Sequence, residues 1–87
     1  MLVGGRHVVT AAFNPITTDR YPCRVLTIRL FTGSGNLTFG NKDGDEFGYL
    51  LADESWTWGP NAGTIDPSQI YVKGTAGDTL YWVGVAV

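Results

Sequence analysis

Twelve glycines and four prolines are spread along the 87 residues and cut the chain into short pieces. No stretch between these breakers sustains a helical period. What fills the gaps is β-branched and aromatic, often alternating, which is the pattern of strands. Residues 7–13, centred on Val8, Val9 and Thr10, form the first piece and stop at Asn14 and Pro15. Residues 23–31 form the longest. Leu26, Ile28 and Leu30 fall on one face, and Val25, Thr27, Arg29 and Phe31 on the other, because successive side chains alternate across a strand. The same alternation puts Cys23 beside Val25. Thr32, Gly33, Ser34, Gly35 and Asn36 tolerate positive φ and read as a hairpin connection, after which Leu37 and Phe39 return toward the core.

Further pieces follow at 47–51, 55–58 and 69–73. Trp56 and Trp58 share a face opposite Ser55 and Thr57, and Ile70 and Val72 point inward with Tyr71 and Lys73 outward. A helical turn competes over 45–54, since Phe47, Leu50, Leu51 and Glu54 have i, i+3, i+4 spacing. Gly48 inside it costs about 1 kcal/mol relative to alanine, so strand–turn–strand is the reading taken. The last piece, 79–87, is apolar on both faces: Leu80, Trp82 and Ala86 on one, Tyr81, Val83, Val85 and Val87 on the other. Such a strand lies centrally between two packed layers or is half-covered by another subunit. About seven strands at spacings near 8–12 residues predict a single all-β domain over 1–87, a small antiparallel β-sandwich or barrel without substantial helix.

A chain this short hides only about 60–65% of the surface its unfolded form exposes. Cys23 is the only cysteine and His7 the only histidine, so neither an intramolecular disulfide nor a zinc site of several thiolates is available within these residues. Two remedies for a small core remain. One is dense aromatic packing, which three Trp, four Tyr and four Phe supply; the other is burial against copies or another protein. The six basic residues are scattered and the net charge is −2, so nucleic acid is not an expected partner. No charged leader or apolar run of about 20 residues is present, so neither a signal peptide nor a membrane span is expected. A lone cysteine fits synthesis in a reducing cytoplasm.

No catalytic constellation stands out. Nothing around Cys23 or His7 resembles an activated thiol with its helix N-terminus or cationic neighbours. The expected roles are a buried small hydrophobe and a surface histidine. No glycine-rich loop leads into a helix to cradle phosphate. Asp43, Asp45 and Glu46 lie in one turn and Asp53 and Glu54 in another, where carboxylates solvate a loop tip rather than flank a substrate. The segment 41–46 has oxygen ligands at alternate positions, but Lys42 intrudes and Gly44 stands fourth where a calcium loop needs glycine sixth. No enzyme activity, metal or cofactor is expected. The aromatics admit two readings. Trp56 with Trp58, or Tyr71 and Tyr81 on the opposite surface, could stack on sugars or form subunit contacts, and the contact is preferred.

Four segments carry a resemblance. They are Cys23-Arg24-Val25-Leu26-Thr27-Ile28, Gly35-Asn36-Leu37-Thr38-Phe39-Gly40, Gly48-Tyr49-Leu50-Leu51-Ala52-Asp53-Glu54-Ser55, and Ile70-Tyr71-Val72-Lys73-Gly74-Thr75-Ala76-Gly77-Asp78 with its closing strand. In this order they resemble the small all-β virion structural proteins of bacteriophages. Asp53 is a departure, since similar chains tend to carry glycine before the Glu-Ser pair. The resemblance implies a head decoration (cement) protein, a β-sandwich of jelly-roll type. It further implies a homo-oligomer, a trimer, bound to the major capsid protein on the capsid surface and made in the bacterial host cytoplasm. The alternative is a carbohydrate- or receptor-binding module, or a connector, of a phage tail or fibre. Tyr71, Tyr81, Val83, Val85, Val87, Val8 and Val9 are the expected oligomer or partner contacts, with residues 1–12 as an N-terminal arm.

Overall fold

The computed structural model describes residues 1–32 and 36–87. Eight strands form two four-stranded antiparallel sheets: β1 (Leu2–Val8), β2 (Asn14–Pro15), β3 (Cys23–Thr32), β4 (Leu37–Gly40), β5 (Glu46–Leu50), β6 (Ser55–Trp58), β7 (Tyr71–Lys73) and β8 (Thr79–Ala86). One sheet has the order β1-β8-β3-β6 and the other β2-β7-β4-β5. The pairs β4·β5, β3·β6, β2·β7 and β1·β8 are all hydrogen-bonded. The chain is therefore one long hairpin folded at β4–β5. Rolling it up brings β8 against β3 and β7 against β4, which is the jelly-roll β-sandwich.

The two sheets close over Val9, Ile16, Leu26, Ile28, Leu30, Leu37, Phe39, Leu50, Ile70, Val72, Leu80 and Trp82. No polar or charged residue is fully buried among those described. The alternation read from 23–31 holds: Leu26, Ile28 and Leu30 are inside, and the opposite set faces out. The strand–turn–strand reading of 45–58 also holds, with Leu51 N donating to Glu54 Oε1 (2.7 Å) and Asp53 N to the Leu30 carbonyl (2.8 Å). Asp53 adopts φ +67, a conformation that favours glycine.

Several expectations change. Eight strands stand among the described residues, where about seven were expected. The first strand is Leu2–Val8 rather than 7–13. Gly4 and Gly5 read as breakers in sequence, yet they let β1 approach β8 closely: a Cβ on Gly4 would stand 2.6 Å from the Trp82 carbonyl oxygen. Residues 1–12, expected as an N-terminal arm, form an edge strand of the sheet and a turn. The turn is held by Thr10 Oγ1 donating to Ala12 O (2.9 Å) and Asn14 Nδ2 donating to Thr10 Oγ1 (2.7 Å).

The hairpin expected at 32–36 is not one, because β3 and β4 belong to different sheets; residues 33–35 of that connection lie outside the described residues. Gln69 belongs to a 3-10 turn, Pro67–Gln69, before β7. Asp66 caps that turn, accepting from Ser68 N (3.0 Å) and Ser68 Oγ (2.8 Å). Cys23 does not lie beside Val25. The β3·β8 register shifts between these two residues, which reverses the alternation and turns Cys23 fully inward.

Candidate interaction surface

The outer face of the β1-β8-β3-β6 sheet is built from residues that pairing brings into rows. Leu2, Val85 and Val25 form one; Gly4, Val83, Thr27 and Thr57 the next; Arg6, Tyr81, Arg29 and Ser55 the third. Val8 and Phe31 stand beyond them. In a sandwich with one face on the core, the outer face is ordinarily polar. Here Leu2 is 74% exposed, Val83 49% and Tyr81 41%.

The face is locally ordered. Phe31 meets Tyr81 edge-on at 5.1 Å, and the Arg29 guanidinium lies 5.9 Å from the Phe31 ring while pairing with Asp53 at 3.6 Å. Thr27 and Thr57 hydroxyls share a hydrogen bond of 2.8 Å. A shallow hollow of about 520 Å³ lies between Arg6 and Arg29, with Tyr81, Val83 and Thr27 on its walls.

Of the residues expected at a contact, Tyr81, Val83, Val85 and Val8 come together on this face. Val87 follows β8 and is exposed. Two do not belong. Val9 is 1% exposed and part of the core. The chain turns inward after β1, with Val9 N donating to Asp78 O and Val9 O accepting from Gly77 N. Tyr71 lies on β7, in the other sheet. Arg6, Leu2, Val25, Arg29 and Phe31 were not singled out in sequence. The alternation of β3 had placed the last three on one face, but its adjacency to β8 is a property of the fold.

The aromatics make no flat double platform. Trp56 and Trp58 are 6.4 Å apart with planes at 69°, both packed on Phe39. Tyr71 and Tyr81 belong to different sheets, so they cannot grip one sugar.

Cys23 donates to the Tyr21 carbonyl (2.9 Å). Burial pushes its thiol up, and the Asp66 carboxylate adds to this against the opposing pull of the N-terminal ammonium. It is held as the thiol. His7 is half-buried and not a fully exposed surface residue: it sits on the inner side of β1, its Nε2 buried without a hydrogen-bond partner among the described residues, and desolvation lowers its pKa. The calcium-like segment is an asparagine-centred turn. Asn41 Oδ1 accepts from Asp43 N and Asp45 N (3.0 Å each), and Asn41 Nδ2 donates to Asp45 Oδ2 (3.0 Å). Its side-chain oxygen already serves the backbone.

No protein-family model and no curated sequence matches the chain. A solved chain from Bacillus endospore appendages, described as a family of disulfide-linked pili, is similar in structure with a TM-score of 0.55 at 15% identity. The match covers 100% of this chain and 87% of that one. At that identity the likeness is one of fold.

Proposed function

We propose that the chain is a structural assembly protein, a head decoration (cement) protein of a bacteriophage, which lies against the coat protein through the outer face of the β1-β8-β3-β6 sheet. The observation that carries this is the apolar outer face itself, with Leu2, Val25, Val83, Val85 and Tyr81 contiguous and no second layer over it among the described residues. Four strands about 4.8 Å apart and averaging about seven residues give about 450 Å² per partner. Some 900 Å² in all is at the low end for a specific contact, the scale that works when symmetry repeats it over a shell. One arrangement of a second copy fits this face poorly. Across a two-fold axis along the strands, the row Arg6–Tyr81–Arg29 would meet itself reversed, arginine against arginine. A coat surface with carboxylates among aliphatic side chains suits it better. The resemblance of the four sequence segments supports the phage assignment.

The test is co-sedimentation of the purified chain with heads of the same phage assembled without it. Wild-type protein binds, and Val83→Lys, a substitution at a half-exposed site, does not. Wild-type protein that fails to bind, or a variant that binds equally, refutes the reading.

A second reading, a filament subunit, is favoured by the fold shared with the pilus chain. A disulfide-linked chain of subunits needs two thiols in each. Residues 1–87 contain one, fully buried, so a filament of this chain would be held without disulfides. Electron microscopy of concentrated protein separates the two readings: filaments support the second, and their absence supports the first.

A further inference from the structure

We infer that the chain pairs with a second copy of itself through the open edge of β1, antiparallel and in register about Gly5. The inference uses the backbone edge of β1, whose outward side chains also border the outer face, and it does not rest on the coat-binding reading.

Four strands stand at sheet edges: β1 and β6 in one sheet, β2 and β5 in the other. Three carry devices that keep edges from pairing. β2 is two residues long and includes Pro15, which has no N–H to offer. β5 meets β4 through a register shift and opens with Glu46, bound to Lys73 Nζ at 3.2 Å. β6 is four residues long and lies between Asp53-Glu54 and Gly59-Pro60. β1 has none of these. It runs seven residues in unbroken register with β8, without proline and with Arg6 as its one formally charged side chain.

Its free side is defined by two bonds at the ends of the ladder. Met1 O accepts from Ala86 N, and Val9 N donates to Asp78 O. Odd-numbered residues therefore turn their polar groups to β8. Leu2, Gly4, Arg6 and Val8 turn theirs to the open side, where no strand lies among the described residues.

The sequence of β1 suits a copy of itself. Full antiparallel overlap of Leu2–Val8 sets Leu2 against the copy's Val8, Gly4 against its Arg6 and Gly5 against its Gly5. Even residues then face even residues, so the two edges exchange about eight backbone hydrogen bonds. Outward, Leu2 and Val8 make apolar pairs, and each arginine lies over a glycine, apart from the other arginine. Slipping the register by two residues sets Arg6 against Arg6 or Leu2 against Arg6. Slipping it by one turns the polar groups out of phase. A hollow of about 440 Å³ lies beside β1, between Gly5 and Trp82 on one side and Ile16 and Tyr21 on the other. The copy's inward side chains, Val3 and His7, come down along it.

A contact about 24 Å long and 10 Å deep covers only about 500 Å² in total, below the ~1,000 Å² of a stable complex. The dimer is weak in dilute solution, and a covalent trap reads it. Leu2→Cys and Val8→Cys place thiols at positions 74% and 54% exposed, while Cys23 is fully buried and wild-type protein controls for it. Both variants keep the wild-type urea midpoint. In the proposed register the two Cα atoms stand about 5.5 Å apart, within disulfide reach. Mild oxidation of the two variants mixed gives a disulfide dimer at about ten-fold the yield of either variant alone, since position 2 faces position 8 and neither faces itself. Equal cross-linking in the unmixed variants overturns the register. No cross-link at about 1 mM, where even a contact worth only ~4 kcal/mol is half-formed, overturns the pairing. So does light scattering that shows a trimer and no dimer at any concentration.

Discussion

Adding one methyl group at Gly84 should destabilise the fold, and the cost should be set by Cys23. Gly84 lies on the inner side of β8, opposite Leu26 in register. A Cβ there would stand 2.7 Å from Cys23 Sγ, 3.2 Å from the Val25 carbonyl oxygen and 3.4 Å from Leu26 Cδ1. The first of these is closer than carbon and sulfur approach. Cys23 has little room to yield: it is fully buried, its Sγ donates to Tyr21 O at 2.9 Å, and its backbone bridges to Ile65 in both directions. Overpacking of this kind costs about 1–3 kcal/mol, which in a domain of this size lowers Tm by roughly 4–8 °C per kcal/mol. Cys23→Ala removes the obstructing sulfur at its own cavity cost of about 1 kcal/mol. In that background Gly84→Ala should cost less than in wild type by about 1–2 kcal/mol, a coupling expected of side chains that occupy one space. Urea unfolding of the four proteins closes the cycle, provided the m-values agree. Additive costs, or a Gly84→Ala cost under about 0.5 kcal/mol, would show that the sheet relaxes around the new methyl and that the packing argument is wrong.

Asp53, at φ +67, should accept glycine within about 0.5 kcal/mol. Relief of the left-handed conformation offsets the loss of the exposed pair with Arg29, whereas Asp53→Val should cost about 1–2 kcal/mol by urea titration. His7 has a folded pKa below its ordinary 6.5, so stability is full above that value and falls as pH drops below it toward the folded value; His7→Gln should remove this step from a stability–pH profile. Burial works to raise the Asp66 carboxyl, but hydrogen bonds from Ser68, Tyr21 and Arg20 together hold it below the usual aspartate value of 3.8. Its contribution is present above that value and lost as pH falls through the folded one, and Asp66→Asn should flatten the acid limb. Val83→Lys should leave the monomer's stability by urea unfolding within about 0.5 kcal/mol, because the site is half-exposed, while abolishing assembly on heads.

The class of fold was legible because the breakers left only strand-length pieces. The inward sets Leu26, Ile28, Leu30 and Leu37, Phe39 then followed from alternation alone. What failed were places where one residue's environment is set by a distant strand. Gly4 and Gly5 look like the end of a strand until Trp82 of β8 lies beneath them. Cys23 breaks the alternation because of a register shift against β8, some sixty positions away. The segment 32–36 has hairpin chemistry, and Asn36 does take φ +63. Yet β4 finds its partners in β5 and β7, a choice made by rolling the long hairpin and not by the turn.

The same distinction applies to the interaction surface. Periodicity assigned Tyr81, Val83 and Val85 to one face of β8 and Val25, Thr27, Arg29 and Phe31 to one face of β3, each correctly. It could not say that these faces are one surface, nor that Leu2 extends it, since the row Leu2–Val85–Val25 joins three distant parts of the chain. The two-sided apolar character of β8 had two explanations in sequence: a central strand between layers, or a strand covered by another subunit. The fold separates them. β8 is central within its sheet, flanked by β1 and β3, but a two-layer sandwich covers only one face of a central strand. Leu80 and Trp82 occupy that covered face, and Tyr81, Val83 and Val85 occupy the other. Position in the sheet therefore accounts for half of the strand's apolar residues. Among the described residues nothing covers the other half, and the partner proposed above would account for it.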